Sequence, residues 1–159
     1  MQHGYIEYNG YTDEIEVSEL VTFWIMVETV AKASEKSDLV NRILKKIEEG
    51  QLYVSYESVV VLHDVVQQDF EEFLAILEKV LHMIRNAPRP LGEAFYQTLS
   101  RSGLLDFHLK SYLAIPSWLD LSWVTYRVYA MVATANQRHD LFLISMGICK
   151  MTWCPGSAK

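Results

Sequence analysis

At 159 residues, 50 % apolar and 21 % charged with seven glycines and four prolines, the chain is too apolar for disorder and too poor in Gly and Pro for a fibrous or low-complexity protein. Its length suits a single globular domain over 1–159, with 1–16 an N-terminal arm or hairpin and 152–159 a flexible tail. Fourteen Lys and Arg against twenty Asp and Glu, net −6, argue against nucleic acid or an anionic membrane as the main partner.

Tyr5-Ile6-Glu7-Tyr8, then Asn9-Gly10, then Tyr11 set aromatics on both sides of an Asn-Gly pair. That pattern reads as a type I′ hairpin or as a turn leading into the first helix. From Val17 to Ala33, Leu20, Val21, Trp24, Val27 and Ala31 recur at helical spacing. Phe23, Ile25, Met26 and Val30 make the segment apolar nearly all round, as a central buried helix would be. Ser37 is placed to cap a second helix whose face is Leu39, Val40, Ile43, Leu44 and Ile47, with Gly50 as its C′ stop.

Leu52–Val66 is ambiguous. Tyr53, Val54, Tyr56 and Val59–Val61 favour strand, whereas Leu62, Val65 and Val66 read better as helix. Phe70, Phe73, Leu74, Leu77, Val80, Leu81 and Ile84 form a stripe that predicts a helix over 69–85, ended by the run Asn86–Pro90. Pro90 can open another helix to about Ser102, stopped by Gly103, and Leu104–Ala114 reads as a shorter one ended by Pro116. Ser117-x-x-Asp120 has capping-box spacing and opens a helix from Trp118 to Ala135, followed by a polar turn and the apolar segment Leu141–Met151. The β-branched and aromatic residues of 123–132 also permit two long antiparallel strands there; Ala130, Ala133 and Ala135 favour helix. The expected fold is mainly α, a single-domain bundle of six to eight helices with an N-terminal hairpin as an option. The alternative is α+β with a C-terminal antiparallel hairpin.

No glycine-rich phosphate loop and no Gly-x-Ser-x-Gly elbow occurs. His139, Cys149 and Cys154 make three potential zinc ligands where a structural site closes with four, so neither metal nor cofactor is expected. Glu78 and His82 stand at i, i+4, without the Glu-x-x-His repeats of a di-iron bundle. His63-Asp64 and Asp106-x-His108 can orient an imidazole, but no nucleophile is apparent beside either, and catalysis is not expected. The start of the chain has neither a basic n-region nor an apolar h-region, and the run Leu20–Val27 is too short to span a bilayer. The expected location is cytoplasmic, with reduced thiols.

Charge is the informative feature. Residues 1–83 carry net −10 and residues 84–159 net +4. The acids gather as Asp13, Glu14, Glu16 and Glu19, and as Asp64, Asp69, Glu71 and Glu72. Acids at helix N-termini complement the macrodipole, which accounts for part of the pattern. The remainder predicts an acidic surface for a basic protein partner, completed by Tyr53 and Tyr56 from a tyrosine-rich first third (Tyr5, Tyr8, Tyr11, Tyr53, Tyr56). On this reading, reversing Asp69, Glu71 and Glu72 costs the fold only the dipole contribution. A small acidic chain without catalytic motifs has the general character of bacterial immunity proteins, which neutralise toxins, often basic nucleases. The alternatives are a small-molecule-binding domain or enzyme with a pocket lined by Trp24, Trp118 and Trp123, and a homodimeric adaptor subunit.

Overall fold

Strands β1 (His3–Tyr8) and β2 (Tyr11–Glu16) pair antiparallel from His3↔Glu16 to Tyr8↔Tyr11. Asn9 and Gly10 between them have φ of +46° and +86°, the two positive values that a type I′ turn needs. The hairpin reading is therefore the one the chain adopts. A computed structural model of the chain describes residues 3–52, 59–88, 93–99 and 116–138. Within them a third strand, β3 (Val59–Val61), lies parallel to β1 on its other side, giving the order β2-β1-β3.

A parallel return needs a long crossover. Helices α1 (Val17–Ala33) and α2 (Asp38–Glu48) occupy the stretch between β2 and β3. Among the described residues four helices follow: α3 (His63–Val66), α4 (Phe70–Asn86), α5 (Glu93–Gln97) and α6 (Trp118–Ala135). The protein is mostly helical with a small N-terminal sheet. Among the described residues, no helix is long and apolar enough to cross a membrane.

The helix ends follow local chemistry. Ser37 Oγ accepts the Val40 amide at 3.1 Å to start α2, and Gly50 takes φ +72° just past its end. At α6, Ser117 Oγ accepts from the Asp120 amide while Asp120 Oδ2 accepts from the Ser117 amide, both at 3.2 Å. This reciprocal cap fixes 118–135 as helix, so the two-strand alternative fails over that stretch. The ambiguous 52–66 region contains both predicted elements, strand at 59–61 and a one-turn helix at 63–66. The sequence left strand and helix open over this region and did not indicate that its strand pairs with β1. The helix expected from Pro90 to about Ser102 contains the described α5 (Glu93–Gln97), while its start at Pro90 and the expected features at Gly103, Leu104–Ala114, Leu141–Met151 and 152–159 lie outside the described residues.

α1 is buried nearly all round because α2, α4 and α6 all pack on it. Trp24, Phe23, Ile43, Phe73, Leu77 and Tyr129 are fully buried, and Phe23 meets Trp24 edge-on at 4.9 Å. On the apolar faces read from the sequence for α1, α2 and α4, Leu44 and Phe70 are only partly buried. Trp118 Nε1 donates to the Ile84 carbonyl at 3.0 Å, fastening the start of α6 to the end of α4. Asn136 Nδ2 donates to the Tyr8 hydroxyl at 2.9 Å, fastening the other end of α6 to β1.

Candidate functional site

The second acidic cluster is largely engaged within the chain. Asp69 receives Arg42 Nη2 at 2.6 Å, and the same guanidinium donates through Nε to the Val65 carbonyl at 3.0 Å. Glu71 pairs with Arg138, and Glu72 accepts from the Ser37 hydroxyl that also caps α2. Asp64 is exposed instead, lining a cleft of about 640 Å³ with His63, Gln67 and Gln68. Gln67 there has φ +49°, a positive value uncommon for a non-glycine residue.

The first cluster divides by strand alternation. Asp13 lies toward the helices and takes both arms of the Arg127 guanidinium, with Nε to Oδ2 at 2.8 Å. Arg127 also donates to the Glu14 carbonyl at 2.9 Å. Glu14 and Glu16 lie on the opposite, outer face. Glu14 Oε1 stands 3.4 Å from His3 Nδ1, and Glu16 accepts from the Ser18 hydroxyl at 3.1 Å. Glu19, in the first turn of α1, is partly buried, and desolvation raises its pKa to about 7. The nearby charges of Asp120 and Glu16 add to the rise, and Arg127 opposes it.

The outer face of the sheet is thus the place where expected acids meet solvent together. Across the strands its rows are Glu16–His3, Glu14–Tyr5–Val59 and Thr12–Glu7–Val61. Glu7 is a member that the sequence reading missed. Its signal was available: with Ile6 and Tyr8 facing the core, Glu7 must share the outer face with Tyr5. Among the described residues, no lysine or arginine pairs with Glu7, Glu14 or Glu16, in contrast to Asp13, Asp69 and Glu71. Such a surface accepts charge-assisted hydrogen bonds from arginine and lysine side chains.

Other candidates disperse. Tyr53, Tyr56, His108, His139, Cys149 and Cys154 lie outside the described residues. Glu78 accepts from the Tyr129 hydroxyl at 2.9 Å, while His82 Nε2 lies 2.9 Å from Asn86 Nδ2, so the i, i+4 pair does not form a joint site. Trp24 is in the core, Trp118 is half-buried against α4, and Trp123 is exposed and stacked on Tyr126. The three tryptophans have separate surroundings. Among the described residues, no group of three or more His, Cys, Asp or Glu is placed to hold a metal ion. No protein-family model, curated protein or solved structure matches the chain.

Proposed function

We propose that the chain is a non-enzymatic protein-binding protein of the immunity type, which neutralises a basic partner such as a nuclease toxin by covering part of its surface. It would act as one globular helical domain in the cytoplasm. The observation that carries this reading is the sorting of the carboxylates. Asp69 and Glu71 on α4 and Asp13 on the inner side of the hairpin are answered by Arg42, Arg138 and Arg127, while among the described residues Glu7, Glu14 and Glu16 gather on the outer sheet face without an arginine or lysine partner. Uncompensated like charges repel one another in the free protein, and a cationic partner relieves that repulsion while being steered toward it.

The test is capture of the partner from the native host with the immobilised chain, followed by association kinetics at two ionic strengths. Association is expected to slow as salt rises. Glu7→Gln/Glu14→Gln/Glu16→Gln is expected to slow it at low salt and to remove most of the salt dependence. A partner that associates at the same rate at both ionic strengths refutes the reading. Recovery of a small metabolite would instead support the pocket alternative, for which the cleft beside His63, Asp64, Gln67 and Gln68 is the observation in favour.

A further inference from the structure

The outer face of the sheet is graded from edge to edge. On β3, Val59 and Val61 are 48 % and 39 % exposed, among the most exposed large apolar residues described. Tyr5 and Glu7 occupy the middle strand beside them, and Glu14 and Glu16 occupy β2. Exposed β-branched residues on such a strand favour association with other chains. Two strand spacings separate the valines from the β2 carboxylates, roughly 10 Å.

Neither half of this face explains a partner alone. A purely cationic surface would leave Val59, Val61 and the Tyr5 ring facing solvent, forgoing the apolar burial they offer. A purely apolar one would strip water from three carboxylates and give them nothing in return, which is costly. The two requirements are met by one chemistry. We infer that this face docks a protein surface on which an apolar side chain stands beside arginine or lysine, the apolar group seated on Val59, Val61 and Tyr5 and the cations on Glu7, Glu14 and Glu16. This rests on the reading of the chain as a binder of a basic partner, and it adds the apolar half of the contact.

Two peptides of equal charge separate the two halves. One carries leucine and arginine at the roughly 10 Å spacing of an extended segment, and the other has serine in place of each leucine. Each is titrated into isotope-labelled protein while the valine methyl, tyrosine ring and backbone resonances are followed. The leucine–arginine peptide is expected to shift Val59, Val61 and Tyr5 together with Glu7, Glu14 and Glu16, and to bind about tenfold more tightly than the serine version, the factor that corresponds to about 1.4 kcal/mol. Val59→Thr/Val61→Thr keeps a β-favouring side chain and should reduce the tighter peptide to the affinity of the weaker one. Amide spectra of the variants confirm that the sheet persists.

Equal affinities for the two peptides, shifts centred on Leu119 and Trp123 of α6, or no binding by either peptide would each overturn the inference. The underlying reading is judged separately by the glutamine variant of Glu7, Glu14 and Glu16. If both peptides bind equally and both weaken in that variant, the basic partner stands and the apolar half falls. If the variant leaves both affinities unchanged, the two fall together.

Discussion

Arg127 on α6 holds Asp13 on β2 across 114 positions of the chain, and in doing so joins its basic half to its acidic half. The Arg138–Glu71 pair does the same between the end of α6 and the start of α4. Part of the −10 to +4 charge asymmetry is therefore spent inside the molecule. The Asp13–Arg127 pair is half-buried and bidentate, so its removal should be felt by the fold. Arg127→Met is expected to lower unfolding free energy by about 1–3 kcal/mol. A double-mutant cycle with Asp13→Asn in urea should return a coupling of at least about 0.5 kcal/mol. Additivity of the two substitutions would mean that the hairpin is held by its apolar face alone.

Leu77 on α4 is fully buried. Leu77→Ala should cost about 2–5 kcal/mol, the span for a large-to-small change with incomplete collapse. A loss below about 1 kcal/mol would place a different face of α4 against α1.

Gly10 tests the turn separately from the packing. A Cβ added there would meet nothing within 4 Å, so any cost of Gly10→Ala comes from its φ of +86°. A left-handed alanine costs roughly 1–2 kcal/mol. Thermal melts showing no change would mean the turn relaxes to another type.

Glu19 links the hairpin to pH. Its folded-state pKa near 7 lies above the ordinary carboxylate value of 4.5, because burial and the Asp120 and Glu16 charges disfavour ionisation. Between about pH 4.5 and 7 the folded chain therefore holds a proton that the unfolded chain releases, and this group makes stability fall as pH rises through that window. Glu19→Gln should flatten that slope, with a higher melting temperature than wild type at pH 8 and little difference at pH 4. Parallel profiles for the two proteins would contradict the raised value.

How far the sequence spoke depends on the range of each interaction. Local signals were legible: Asn9-Gly10 made the turn, Ser37 capped α2, Ser117 and Asp120 formed the capping box, and the stripe from Phe70 to Ile84 buried itself as helix. Long-range pairings were not. Nothing near Val59–Val61 in sequence says that it lies beside β1 rather than β2, since the pairing joins segments far apart in the chain, with α1 and α2 between them. For the same reason the arginines that answer Asp13, Asp69 and Glu71 could not be assigned, and the two acidic clusters looked alike. The alternation that places Glu7 with Glu14 and Glu16 follows once the hairpin is accepted.

That difference between the clusters changes what charge reversal at α4 does. Expected from sequence to cost only the dipole contribution, Asp69→Lys instead sets an ammonium against Arg42, whose guanidinium is already tied to the Val65 carbonyl. Side-chain exposures of 22 % and 31 % leave this pair partly screened, so the cost should be about 1–3 kcal/mol, below that of breaking a fully buried pair. Glu71→Lys loses its pairing with Arg138, but Glu71 is 68 % exposed, and about 1 kcal/mol or less is expected. Glu72→Lys removes the acceptor for the Ser37 hydroxyl and leaves the cap to the Val40 amide in place, at a cost of about 0.5–1.5 kcal/mol. Urea unfolding of the three single variants should therefore rank Asp69 first and separate it clearly from Glu71. Equal small losses at all three positions would show that the Arg42 contact adds nothing beyond the helix dipole.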